Sequence, residues 1–247
     1  LSDILTDAEL AARIADAAGR ILSALRDSAT LSGKALGAAG DETANAFILA
    51  ALRANRPEDG ILSEESADSA ERLAKARVWI VDPLDGTREY SEGRGDWAVH
   101  VALSIDGVAT IGAVAQPGAG LFRSDAPPAL PDPALRIVVS RSRPPECATR
   151  VAATLGLDLL PMGSAGAKAM AVLRGEAVAY LHSGGQHEWD SAAPVAVCAA
   201  AGLRVSRLDG SPLRYNEANP YLPDLLICHP DWHDRVRATL DAASVNS

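Results

Sequence analysis

Acidic side chains and one threonine fall in three short segments, in a pattern suited to a metal ion that handles phosphate. The segments are Glu64-Glu65 in "GILSEES", the run Asp82-Pro83-Leu84-Asp85-Gly86-Thr87, and Glu188-Trp189-Asp190. The middle one carries the most information. Val78-Trp79-Ile80-Val81 is a short unbroken apolar run that reads as a buried strand, and the chain turns directly after it. Carboxylates at the end of a buried strand repel one another and resist leaving water. A divalent cation relieves both problems, and oxygen ligands suit Mg²⁺.

Each segment has a plainer reading beside this one. Asp-x-x-Asp-Gly alone is as well explained by a turn with solvated side chains. Pro83 fixes φ and Asp85-Gly86 permits a tight turn, so the segment can aim both carboxylates and the Leu84 carbonyl at one point. Thr87 follows within reach, and a helix starting at Gly86-Thr87 would turn free N–H groups toward a phosphate. Glu64-Glu65 follows Ile61-Leu62 and so is expected at a strand end, although an isolated Glu pair is usually a solvated surface feature. Asp190 is placed to cap a helix over 191–201, with Pro194 in its first turn.

The elements that must position these residues follow from periodicity and turn residues. Thr6-x-x-Glu9 is a capping box. It opens an amphipathic helix whose stripe is Leu10, Ile14, Ala17, Ile21 and Leu25. "SGKALGAAG" reads as a link to a second helix over 41–55, which makes Asp41 a candidate helix cap. Strands are expected at 78–81, 97–105, 108–116 and 121–123, with Asp106-Gly107 as a hairpin turn. The Pro-rich "SDAPPALPDPAL" places a lobe boundary near residue 130, dividing 1–130 from 131–247. Beyond it come a strand at 136–140, helices at 145–155 and 164–174, a strand at 177–182, a helix at 191–201, a strand at 225–228 and a closing helix at 232–243. Asp209-Gly210 is read as a second hairpin turn. The class is α+β.

Composition excludes several functions. The 247 residues are 48% hydrophobic and 22% charged with a net charge of −9, and no basic stretch is present to track a nucleic-acid backbone, so a nucleic-acid polymer is not expected as a partner. An acidic protein acting on an anion needs a cation to offset the repulsion. Cys147, Cys198 and Cys228 are widely spaced and form no CxxC, which fits a reducing cytoplasm. No signal peptide and no apolar run of about 18 residues is present, so no membrane span is expected.

Taken together, "GILSEES", "VWIVDPLDGTREY" and "EWDSAAP" resemble the three signature segments of the inositol monophosphatase superfamily of Mg²⁺-dependent phosphatases. "DWAVHVAL", "GSAGAKAMAVLRG", "YLHSGGQHEWDSAAP" and "RLDGSPLRYN" bring the chain nearest to CysQ-type 3′(2′),5′-bisphosphate nucleotidases. The resemblance implies a layered α/β/α/β/α sandwich, lithium sensitivity and a homodimer. It also implies hydrolysis of 3′-phosphoadenosine 5′-phosphate to AMP and phosphate, with its sulfated precursor as a further substrate. Inositol 1-phosphate or a broader set of sugar phosphates is the alternative, and a non-catalytic metal-binding module a remote one. By position, Glu64, Asp82, the Leu84 carbonyl, Asp85 and Asp190 would hold two Mg²⁺ ions, or three. Gly86 and Thr87 would receive the phosphate. Thr87 paired with Asp41 would orient the attacking water, although "GAAGD" replaces the family's Thr-rich lead-in to that Asp. Two ions roughly 3.5–4 Å apart suit an in-line displacement in which positioning and cation charge do most of the catalysis.

Outside these motifs, Gly163 and Ser164 at a helix start, with Lys168 one turn in, are candidates for the nucleotide, against a solvated Lys168. They lack the spacing of a Walker loop. His182, at the end of "AYLH", is a candidate for a second phosphate because related nucleotidases place a basic residue there. The other histidines, His100, His187, His229 and His233, show no ligand spacing, and His100 reads as structural.

Overall fold

The capping box closes as the sequence predicts. The Thr6 hydroxyl accepts from the Glu9 N–H at 3.2 Å, and the Glu9 carboxylate accepts from the Thr6 N–H at 3.0 Å. The computed structural model describes residues 5–244. From this cap runs α1 (Asp7–Asp27), and its buried line is Leu10, Ile14, Ala18 and Leu22 rather than the line through Ala17, Ile21 and Leu25.

The second helix, α2 (Gly33–Asn55), differs most from expectation. "GKALGAAG" is helical rather than a link, and Ser32 is the N-cap residue. Asp41 therefore sits within the helix and caps nothing. The small residues serve close approach: a Cβ on Gly37 would stand 2.8 Å from Thr87 Cγ2. Glycine costs helix stability, but here it lets α2 lie against the acidic turn.

Ten strands form two sheets among the described residues. The first contains β1 (Gly60–Ser63), β2 (Arg77–Asp85), β3 (Ala98–Ile105), β4 (Val108–Gln116) and β5 (Gly120–Arg123), in that order. A short 3₁₀ helix (Ala70–Ala74) joins β1 to β2, which pair in parallel; the other pairings are antiparallel. Asp106 (φ 50°) and Gly107 (φ 78°) make the two-residue β3–β4 hairpin turn.

The second sheet has the order β7 (Asp158–Met162), β6 (Arg136–Ser140), β8 (Ala179–His187), β10 (Tyr221–Cys228), β9 (Arg204–Ser206). Strand β7 was not legible in "DLLPM", whose Asp and Pro argue against a strand; it pairs only with β6, where a proline is tolerated at a sheet edge. Asp209-Gly210 turns the chain within the long 207–220 connection between the antiparallel strands β9 and β10, rather than as a two-residue hairpin turn. The remaining helices are α3 (Thr87–Ser91), α4 (Glu146–Leu155), α5 (Ala165–Leu173), α6 (Glu188–Ala200) and α7 (Pro230–Ser244).

Three apolar clusters define the layering. One joins α1 and α2 to the first sheet through Leu10, Ile48, Trp79 and Val101. A second joins that sheet, α5, α6 and the second sheet through Ile80, Met170, Val197 and Ile227. A third joins the second sheet to α4 and α7 through Val139, Val151 and Val236. The result is an α/β/α/β/α sandwich of α+β class. Residues 124–135 lie between the sheets in sequence and form no helix or strand. The middle cluster spans both sheets, so the two halves of the chain share one core.

Candidate active site

In a regular strand, residues three apart face opposite sides. Asp82 and Asp85 on β2 nevertheless bring carboxylate oxygens together, because the β2–β3 register slips between them. Asp82 pairs with His100 and Asp85 with Ala98, so β2 carries one extra residue. This is a β-bulge, and it turns both carboxylates to the same side. Pro83 is accommodated there because a bulged residue owes no ladder hydrogen bond. The Leu84 N–H donates to Asp82 Oδ1 at 3.1 Å, and the Leu84 carbonyl accepts from Thr87 Oγ1 at 3.1 Å.

Helix α6 completes the cluster. Its N-cap residue is His187, so Asp190 is the third helical residue rather than the cap, and Pro194 lies beyond the first turn. Asp190 Oδ2 accepts from the His187 N–H at 2.7 Å. One carboxylate oxygen from each of Asp82, Asp85 and Asp190 lies within 4.8 Å of the others. Glu64, just past β1, keeps much of its surface in solvent but sets its carboxyl against Asp82.

The electrostatics split this cluster. Burial, then the Glu64 and Asp85 carboxylates, push Asp82 well above the usual carboxylate range. Burial and Asp190 raise Glu64 to about 7, and burial and Asp85 raise Asp190 to about 6. Asp85 goes the other way. Burial opposes its charge, but His100, Lys168 and Ser164 outweigh it and hold Asp85 at about 2. Its oxygens accept from Ser164 Oγ at 2.5 Å and from the N–H groups of Ala165 and Gly166 at 3.0 and 2.7 Å. The start of α5 thus docks on Asp85, with the helix N-terminus facing a carboxylate.

This donor set fits a hard divalent cation. Closely spaced, mostly buried carboxylates that hold protons for want of neighbouring positive charge are what a cation would displace those protons from. Thr87 opens α3, preceded by Gly86 in the left-handed region (φ 87°). Its hydroxyl is within 3.3 Å of Asp41 Oδ1 as well as the Leu84 carbonyl. One proton serves either acceptor, and the oxygen's lone pairs remain for another donor. Burial and the nearby Glu65 raise Asp41 to about 7.

Two residues of the second lobe sit in settings the sequence did not predict. Lys168 is buried, and its ammonium donates to the carbonyls of Gly163 and Ser164 at 2.8 and 2.7 Å. It is not solvated, and it braces the loop that holds Asp85. His182 ends buried enough to be neutral, because burial and the Lys168 charge bring it down to about 4.

Other participants were not legible as such. His100 is fully buried with Nε2 3.2 Å from Asp85 Oδ2 and Nδ1 3.0 Å from the Trp189 carbonyl. Burial opposes its charge, yet Asp85 outweighs this and raises its pKa. It fits only because Gly166 has no side chain, since a Cβ there would collide with Nε2. Glu188 is buried beside Asp190 and accepts from the N–H groups of Asn216 and Glu217 at 2.6 and 2.8 Å, which fixes the segment before β10. Asp96 receives the Gly163 N–H at 2.7 Å. The strand carrying His100 was visible in sequence; its partner across the sheet was not.

Comparison with known proteins places this geometry in context. The family model described as "Inositol monophosphatase family" matches residues 3–244. The 3′-phosphoadenosine 5′-phosphate phosphatase of Mycobacterium leprae is 52% identical over 246 residues, covering 92% of this chain and 90% of that protein. The 3′(2′),5′-bisphosphate nucleotidase CysQ of Escherichia coli K12 is 31% identical over 205 residues, covering 74% of this chain and 81% of its own length. Among solved structures, CysQ of Bacteroides thetaiotaomicron superposes with a TM-score of 0.77 at 27% identity, covering 90% of this chain and 96% of that one.

Proposed function

The chain belongs to the inositol monophosphatase family, and from that premise we propose that it is a Mg²⁺-dependent phosphomonoesterase removing the 3′-phosphate of 3′-phosphoadenosine 5′-phosphate. The observation that carries this is the oxygen cluster of Asp82, Asp85 and Asp190 beside the Thr87–Asp41 pair. The names of the relatives support the choice of substrate.

Glu64, Asp82, the Leu84 carbonyl, Asp85 and Asp190 would hold the magnesium, two ions or more, and its charge would offset that of the phosphoryl oxygens and ease deprotonation of water. The protein's own groups supply position and proton transfer. Thr87 Oγ1 accepts a hydrogen bond from the attacking water while its own proton points to Asp41 Oδ1. Asp41, raised to about 7, can take up a proton near neutral pH. Gly86 and Thr87 N–H groups, at the start of α3, receive phosphoryl oxygens. Ser164, Lys168 and His100 keep Asp85 fixed. No side chain serves as a covalent nucleophile.

In this reading residues 1–130 supply most ligands, and 131–247 supply Asp190 and substrate selection. No helix among the described residues is long and apolar enough to cross a membrane. Three free thiols suit a cytoplasmic setting, and a homodimer is proposed on family likeness.

A substrate panel tests the reading. With Mg²⁺, the adenosine bisphosphate is expected to exceed inositol 1-phosphate and fructose 1,6-bisphosphate in kcat/KM by at least about tenfold, the scale of one charged contact. A preference for inositol 1-phosphate would replace the nucleotide assignment with the polyol one.

A further inference from the structure

The Leu84 carbonyl and the Asp82 and Asp85 carboxylates share one strand, so β2 alone sets their spacing. Glu64 and Asp190 stand on separate elements, the β1–β2 connection and the first turn of α6, in the two halves of the chain. We infer that Asn216 is a positioning residue for the metal centre, clamping that connection to that helix turn and so setting where Glu64 and Asp190 stand relative to each other; the inference rests on the metal reading above.

The near end of the connection is tied to the first lobe. The Glu64 N–H donates to the Val81 carbonyl at 3.2 Å, and Asn45 Nδ2 donates to the Glu65 carbonyl at 3.2 Å and to Ser66 Oγ at 3.0 Å. Beyond Ser66 the chain is held by very little apolar burial, and Leu73 is 43% exposed. Among the described residues, Arg72 is the one buried residue from 64 to 76. A buried cation is costly unless it is paired and hydrogen-bonded, so its partners decide where the connection lies.

Those partners centre on Asn216. Arg72 Nη1 donates to Asn216 Oδ1 at 2.8 Å, and Asn216 Nδ2 donates back to the Arg72 carbonyl at 3.2 Å. Arg72 Nη2 also reaches the Glu217 carbonyl at 3.0 Å, and Asp68 accepts from Nε and Nη2 at 2.7 and 2.9 Å. On its other side the Asn216 N–H donates to Glu188 Oε2 at 2.6 Å, and Glu188 is buried immediately before Trp189-Asp190. Arg72 and Glu188 are thus two buried opposite charges joined through one asparagine and its neighbour's backbone. The Glu188 charge also acts on Arg72 directly.

The local backbone suits this role. Asn216 has φ 62°, a left-handed conformation that asparagine tolerates better than most residues. Its N–H meets Glu188 while its side chain meets Arg72. Tyr215 fixes the turn from the preceding position: its N–H donates to the Gly107 carbonyl at 3.0 Å, and its hydroxyl lies 3.2 Å from that of Ser191 in α6. The two ligands meet across Asp82. The Glu64 carboxyl lies against Asp82, and oxygens of Asp82 and Asp190 lie within 4.8 Å of each other. Movement at the clamp therefore changes the spacing of the oxygens that face the cation.

Asn216→Gly keeps the left-handed turn and the N–H to Glu188 but removes the amide that meets Arg72. Without substrate, the Mg²⁺ concentration giving half of the maximal rise in melting temperature is expected to increase about tenfold, the scale for groups that orient metal ligands. The Mg²⁺ requirement for phosphate release should rise in parallel, and kcat at saturating Mg²⁺ should fall far less. Asp68→Asn loosens Arg72 from its other end, at a side chain 41% exposed where folding is not at risk. It should shift the Mg²⁺ midpoint in the same direction and less, and the double variant should lose little more than Asn216→Gly alone. A lower melting temperature in chelator with a wild-type Mg²⁺ midpoint in both single variants would make the clamp structural only and overturn the inference, while the phosphatase reading stands. Wild type whose melting and phosphate release are both indifferent to Mg²⁺ would overturn the metal reading, and the inference with it.

Discussion

Asp82→Asn should lower kcat by about a thousandfold and, at the same time, raise the melting temperature of the metal-free protein. The activity loss follows from position. Replacing groups that merely orient metal ligands costs about 10- to 100-fold, and Asp82 is placed as a ligand itself. The stability gain follows from charge. Asp82 is buried among Glu64, Asp85 and Asp190, and its pKa lies well above the usual range. Asparagine has the same shape, can still accept from the Leu84 N–H, and needs neither to take up a proton on folding nor to add a charge to the crowd.

The pH dependence has a definite sign. Asp82, Glu64 (about 7) and Asp190 (about 6) all have folded-state values above their unfolded ones. The folded protein therefore binds more protons, and the stability they contribute is complete below about pH 4 and is lost as pH rises through the folded values. Asp85, held at about 2, contributes stability above the unfolded carboxylate range and varies little in that window. Thermal melts in chelator should thus fall from pH 5 to pH 8 in wild type and fall less in Asp82→Asn. Mg²⁺ should raise the wild-type melt at pH 7.5 and raise the variant's less, since binding to the folded state alone adds stability. A variant with wild-type melting in chelator, or with undiminished kcat, would show that Asp82 is not the centre of the cluster.

Thr87→Val should cost about a hundredfold in kcat with little change in metal affinity, the scale for a group that orients the nucleophile. Valine keeps the methyl group that lies toward Gly37 and removes only the hydroxyl. That hydroxyl is the link between Asp41 and the cleft. Asp41→Asn should produce a similar loss, and the double variant should lose little more than either single one, because both act on one proton path. The measurement is steady-state phosphate release together with Mg²⁺ titration of the melting temperature. Wild-type kcat in Thr87→Val would remove the hydroxyl from the chemistry.

These residues were legible because their signals are local. An apolar run followed by Asp-Pro-Leu-Asp-Gly-Thr marks a strand end, and Thr6-x-x-Glu9 marks a helix start. The bulge that brings Asp82 and Asp85 to one side was not legible, since it is defined by the register against β3. "GKALGAAG" looks like a link because glycine disfavours helix; it is helical, and Gly37 is there because a Cβ would crowd Thr87. Lys168 shows the limit most sharply. One turn into a helix beside a glycine, it has the sequence of a ligand-binding lysine. Its burial depends on Tyr180 and on the Gly163 and Ser164 carbonyls, and only the folded chain brings these together. His100 was read as structural and Glu188 as part of the third acidic segment, but their partners were not legible for the same reason, being remote in sequence.

The central claim is tested most directly by phosphate release from 3′-phosphoadenosine 5′-phosphate by chelator-treated protein as Mg²⁺ is added back. The account predicts release at background in EDTA and recovery with Mg²⁺, because an oxygen cluster from Glu64, Asp82, Leu84, Asp85 and Asp190 suits a hard cation. Full phosphate release in EDTA would contradict it.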